Sequence, residues 1–80
     1  MRTYKVAIGF IGKNESYIQK TAYMINNAIN DDDAIAKTED LLLDYRYRNK
    51  SKAKRLYASC YLIVDGVMMD CIKTKFNDLY

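Results

Sequence analysis

Eighty residues, with 13 Lys or Arg against 10 Asp or Glu and no histidine, exclude a good deal. The length allows one domain, residues 1–80, burying only about 60% of its unfolded surface, and a half-apolar composition argues against a disordered tail. Without histidine, Ser-His and Cys-His catalysis are ruled out within one chain, Cys60 and Cys71 are too few and too far apart for a zinc site, and no apolar run is long enough to span a bilayer.

The start, Met1-Arg2-Thr3-Tyr4-Lys5, runs directly into a strand pattern without the small-residue cleavage site of a signal peptide. A soluble cytoplasmic protein is the expectation, with both cysteines as small buried hydrophobes. Tyr4, Val6, Ile8 and Phe10 alternate with Lys5, Ala7 and Gly9, which predicts a strand over about 3–11 whose tyrosine-bearing face is core. Gly9 and Gly12 read as strand bends or ends, because they lack the Lys-Ser/Thr of a P-loop and the third glycine of a dinucleotide fingerprint.

Ser16-Tyr17-Ile18-Gln19 fits a capping box. Ile18, Ala22, Ile25 and Ile29 then recur at helical spacing, predicting a helix over about 16–29. The middle reads two ways. Ile35, Thr38, Leu41, Leu42 and Tyr45 match a helix over about 33–46, while Leu41, Leu43, Tyr45 and Tyr47 also alternate as a strand does; the helix is preferred. Residues 49–53 are a loop in either case.

Asp65-Gly66 between two apolar runs predicts a type I′ hairpin with strands of about 55–64 and 67–76. That register opposes Val64 to Val67, Leu62 to Met69 and Cys60 to Cys71, placing Leu56, Ala58, Cys60, Leu62, Val67, Met69 and Cys71 on one face. The other face then holds Tyr57, Tyr61, Ile63, Met68, Ile72 and Phe76, too apolar for plain solvent exposure, and is the candidate partner-binding or homodimer surface. The expected fold is α+β: a small antiparallel sheet with one or two helices on one face, ordered β-α-α-β-β or β-α-β-β-β.

Charge is polarised. Residues 46–55 hold Arg46, Arg48, Lys50, Lys52, Lys54 and Arg55 and no acid, while 31–44 hold Asp31, Asp32, Asp33, Glu39, Asp40 and Asp44 against Lys37 alone. With Tyr45 and Tyr47 interleaved, the six basic residues are the candidate nucleic-acid site, combining phosphate contacts with base stacking. The aspartates suggest Mg²⁺ only if a fold gathers them, and three in succession read more simply as a helix start or turn. No catalytic residue, metal or cofactor is assigned, and no RRM, KH or zinc-knuckle pattern is present.

Lys5-Val6, an apolar strand, Lys13-Asn14-Glu15-Ser16 and then Lys20 resemble, without a gap, the start of the Dmd family of small T-even phage antitoxins. The resemblance covers about a quarter of the chain; the rest does not align, and this chain is longer. It implies a phage-encoded protein, acting in the host bacterial cytoplasm, that neutralises a bacterial toxin endoribonuclease and so blocks abortive infection. A second inhibitor type of these phages, TifA, acts on the RNA-cleaving toxin ToxN together with RNA, a role that a basic, Tyr-rich chain suits. Inhibition then works in one of two ways: the acidic block mimics phosphates, or the basic block carries RNA, the latter preferred for its charge density. The alternative is a structural or interaction protein that dimerises through its aromatic sheet face without nucleic acid.

Overall fold

The computed structural model describes residues 2–79. Strands β1 (Arg2–Ile11) and β2 (Tyr17–Ala28) are followed by helix α1 (Asp31–Arg48) and by strands β3 (Arg55–Val64) and β4 (Val67–Asp78). The strands form one antiparallel sheet in the order β2-β1-β3-β4, and α1 packs on one face, mostly over β3 and β4. The α+β class with a helix on one face is as the sequence implies. The order is β-β-α-β-β, neither of the two expected.

The difference lies in residues 17–28, a strand where the spacing predicts a helix over 16–29. β2 pairs only with β1, and its register steps twice: Ile8 opposes Thr21 but Gly9 opposes Gln19, and Tyr4 opposes Ile25 but Arg2 opposes Ala28. Each step inserts one extra residue, Lys20 in the first and one of Asn26-Asn27 in the second. Ile18 and Thr21, then Ile25 and Ala28, therefore fall on one face three residues apart. Bulges thus imitate the helical period. Ser16 caps nothing and is extended (φ −75, ψ 132), and Tyr17, Ile18, Thr21, Tyr23 and Ile25 are strand formers.

The helix N-cap is Asn30. Its Oδ1 accepts from the Asp33 amide at 2.9 Å, while Asp33 Oδ2 accepts from the Ile29 amide at 2.9 Å. Asp31, Asp32 and Asp33 occupy the first turn, where the helix dipole favours negative charge. Ala34, Thr38, Leu42 and Arg46, four residues apart, form the buried stripe. Against it pack Tyr4, Val6 and Ile8 of β1, Ile25 and Ala28 of β2, and Leu56, Ala58 and Cys60 of β3. Burying each large apolar side chain here contributes about 1.5–3 kcal/mol. The Tyr4 hydroxyl donates to Asp31 Oδ1, which also accepts from Arg2 Nη1 at 3.0 Å, pinning the helix start to β1.

Asp65 (φ 50) and Gly66 (φ 77) make the expected left-handed turn between β3 and β4. Val64 opposes Val67 and Ile63 opposes Met68, but Tyr61 opposes Cys71 and Cys60 opposes Lys73. These two register steps correct the expected Cys60–Cys71 pair. They turn Ile72 into the core beneath α1, although the hairpin register places it on the opposite face, and leave Cys71 exposed. Val67 and Met69, expected in the core, are exposed as well: Val67 opposes Val64, past the last β1–β3 pair, Thr3 with Ile63, and Met69 lies in the register step between the Ile63–Met68 and Tyr61–Cys71 pairs.

Gly9 sits opposite the first β2 bulge, where an added Cβ would collide with the Ile18 carbonyl oxygen. Gly9→Ala is therefore expected to lower the unfolding free energy by about 1–3 kcal/mol; unchanged stability in urea denaturation would contradict the close approach. Asp31 is held below the usual carboxylate range by the Tyr4 hydroxyl and then by Arg2, and Asp33 by Lys37 and then by the Ile29 amide. Folded values below unfolded ones stabilise the fold above about pH 4, and that stabilisation is lost as pH falls through the lower folded values. The double variant Asp31→Asn, Asp33→Asn should lose stability less steeply than the parent between about pH 4 and pH 2, and equal slopes would rule the linkage out.

Candidate functional site

α1 covers one side of the sheet, and among the described residues no element covers the other. Alternation along the strands places Lys5, Ala7, Gly9 and Ile11 of β1 on this open face. Register adds Tyr17, Gln19, Ala22 and Met24 from β2, Tyr57, Ser59, Tyr61 and Ile63 from β3, and Met68, Cys71, Thr74 and Phe76 from β4. Tyr17 packs edge-on against Tyr57 with ring centroids 4.9 Å apart, and Phe76 opposes Tyr57 from the other side. Tyr57 is thereby only 5% exposed although no helix lies over it, whereas Tyr17 is 57% and Phe76 45% exposed. Burial raises the Tyr57 hydroxyl pKa, with smaller contributions from Tyr61 and Tyr17.

Apolar residues continue across the face. Met24 and Met68 are about half exposed, and Tyr61 and Ile63 are half-buried. Ser59 and Thr74 hydroxyls share a hydrogen bond of 2.8 Å near its middle. Lys5, between Met24 and Tyr61, makes no ion pair among the described residues. Of the residues expected on this face, Tyr57, Tyr61, Ile63, Met68 and Phe76 come together and Ile72 does not. Tyr17 and Met24 were missed because their segment reads as helix; the strand-forming run around Tyr17, Thr21 and Tyr23 was the available signal.

The basic segment is not one surface. Arg46 is 8% exposed, with its guanidinium bonded to the Asn77 side chain at 2.7 Å, the Asn77 carbonyl at 2.6 Å, the Ala53 carbonyl at 2.6 Å and the Ser51 carbonyl at 3.2 Å. It clamps the 49–54 loop and the end of β4 to the helix, so it is corrected from nucleic-acid ligand to structural residue. Tyr45 packs against the core. Arg48 pairs with Asp44 at 3.2 Å, and Arg55 pairs with Asp78 at 3.3 Å while lying 5.1 Å from the Phe76 ring centroid. Tyr47, 76% exposed, and Lys50, Lys52 and Lys54 lie at the surface, and the three lysines form no ion pair among the described residues. Lys50 holds the left-handed residue of a Schellman end (φ 49), its amide donating to Tyr47 O while the Ser51 amide donates to Arg46 O.

The acids are divided too. Asp31 and Asp33 serve the helix start, Glu39 pairs with Lys75 at 3.2 Å, and no group of three potential metal ligands forms among the described residues. No helix among them is long and apolar enough to cross a membrane.

Truncating Arg46 leaves the Ala53 and Asn77 carbonyls without their donors, so Arg46→Ala is expected to lose about 2–4 kcal/mol while Arg48→Ala stays within about 0.5 kcal/mol. Equal stabilities in guanidinium titration would refute the clamp. Comparison with protein families, with curated proteins and with solved structures gives no match to this chain.

Proposed function

We propose that the chain is a non-enzymatic, phage-type inhibitor of a bacterial toxin endoribonuclease that engages the toxin through its open sheet face. The observation that carries this reading is the uncovered face itself: Tyr17, Tyr61, Ile63, Met24, Met68 and Phe76 make it largely apolar and aromatic, interrupted by Lys5, Gln19 and the Ser59–Thr74 hydroxyls, and α1 lies on the other side. Large exposed patches of this kind mark interaction sites, and aromatic and Met side chains are the residues that supply binding energy at protein interfaces. Lys5 near the middle favours a partner that brings a carboxylate to an apolar patch. The resemblance of residues 5–20 to the Dmd family supplies the class of partner.

Direct protein contact is preferred to RNA carriage by the basic segment, because Arg46 is committed to the fold and Arg48 and Arg55 are paired. Lys50, Lys52 and Lys54 lie to one end, where they add electrostatic steering toward an RNA-bound toxin.

Co-expression with RNA-cleaving toxins, followed by binding measurements on the neutralised one, tests the reading. Met24→Glu with Met68→Glu, on the two outer strands, should abolish neutralisation and weaken toxin binding at least about tenfold with the fold intact. Lys50→Glu with Lys52→Glu should change affinity less than about threefold. The reverse pattern would return the basic segment to first place. A dimer that the methionine variants convert to monomer, without toxin affinity, would favour the structural homodimer instead.

A further inference from the structure

At the end of the molecule where β1, the start of β2 and the C-terminal turn of α1 meet, a groove of about 630 Å³ is floored by Phe10, Tyr45 and Leu56 and rimmed by Lys13, Lys20 and Lys54. Its floor is on the helix side of the sheet, and of the open-face residues only Ile11 touches it. No acidic side chain lines it, and none of the three lysines forms an ion pair among the described residues. Three unneutralised ammonium groups around an apolar floor repel one another unless an anion enters.

Two local distortions build this rim. Lys20 is the extra residue of the first β2 bulge, the kind of irregularity that re-aims a side chain, and its Nζ stands 6.0 Å from the Phe10 ring centroid. Lys13 is carried on a one-turn segment whose next two residues, Asn14 (φ 63) and Glu15 (φ 58), are left-handed. Glutamate adopts that conformation rarely, and such backbone persists where the surrounding structure imposes it. The Gly12 amide closes the turn on the Ser16 carbonyl at 2.8 Å.

We infer that this groove is a nucleotide site, in which the phosphate is held by Lys13, Lys20 and Lys54 and the base lies against Phe10 and Tyr45. The volume is within the range of ligand pockets. Charge selects an anion, and the aromatic floor selects one that carries a flat apolar ring. Lysines act here as point charges on phosphate. The nucleotide is either free or one unit of a single strand, the chemistry at the groove being the same.

The test uses the full chain with two probes: adenosine monophosphate followed by amide chemical shifts, and a fluorescent ten-residue oligouridylate followed by anisotropy. Saturable shifts at Gly12, Lys20 and Ala53 are expected, with affinity for both probes falling at least about tenfold in Lys20→Glu, Lys54→Glu. Lys50→Glu, Lys52→Glu, outside the groove, should cost less than about threefold for the monophosphate. Tighter binding of the strand than of the monophosphate supports a nucleic-acid source, and equal affinity supports a free nucleotide. Absence of saturable shifts, equal loss in the two double variants, or competition by pyrophosphate as strong as by the monophosphate would overturn the site, leaving the open-face reading untouched.

Discussion

One helix has to cover a four-stranded sheet, and it cannot. An 18-residue helix is about 27 Å long and about 10 Å wide with its side chains, enough to lie over roughly two strands spaced about 4.8 Å apart. α1 favours β3 and β4, so β2 is left largely exposed even on the helix side, with only Ile25 and Ala28 buried along its length. Among the described residues nothing covers the far face, and Tyr57 is kept dry there only because Tyr17 and Phe76 flank it. A fold this small gains by recruiting a partner to that face, which is why the surface carries the functional proposal.

The same economy governs charge. A net +3 conceals charges already committed to structure: Arg46 stitches three backbone segments together, Asp31 and Asp33 fix the helix start, and Arg48, Arg55, Lys37 and Lys75 each have a carboxylate within 4 Å. Among the described residues the basic side chains without an ion pair or a carbonyl cluster are lysines: Lys50, Lys52 and Lys54 at the loop, Lys13 and Lys20 at the end groove, Lys5 on the open face and Lys73 on β4. Arginine's planar fork suits a buried carbonyl cluster, while lysine suits a surface that must exchange partners. The lysines without partners are denser at the loop and end groove than on the open sheet face, where Lys5 stands alone.

Much of the fold was legible where one rule acts alone. The β1 alternation and the Asp65-Gly66 turn each follow from local pattern, and the antiparallel α+β class follows from them; the helix, expected over about 33–46 in preference to an alternating strand, runs over Asp31–Arg48. Illegibility entered at the bulges. In β2, bulges set apolar residues three apart and so counterfeit a helix; in β4, two register steps exchange the faces of Cys71 and Ile72. Bulges are resolved by pairing with a neighbouring strand, information that no single segment contains. At the candidate sites, Tyr57, Tyr61, Ile63, Met68 and Phe76 were readable from the hairpin, but Tyr17 and Met24 were hidden with β2. The basic run gave no sign that Arg46 turns inward, since position 46 continues the buried 34-38-42 stripe only once the helix and its packing face are known.

Methyl NMR of the methionine and isoleucine side chains during titration with the neutralised toxin tests the central claim most directly. Met24, Met68 and Ile63 report from the open face, Ile25 and Ile72 from beneath the helix, all within one sample. Shifts and line broadening confined to the first group are the predicted result. Changes absent from those methyls, with the backbone amides of residues 49–54 perturbed instead, would contradict the account and transfer recognition to the basic loop.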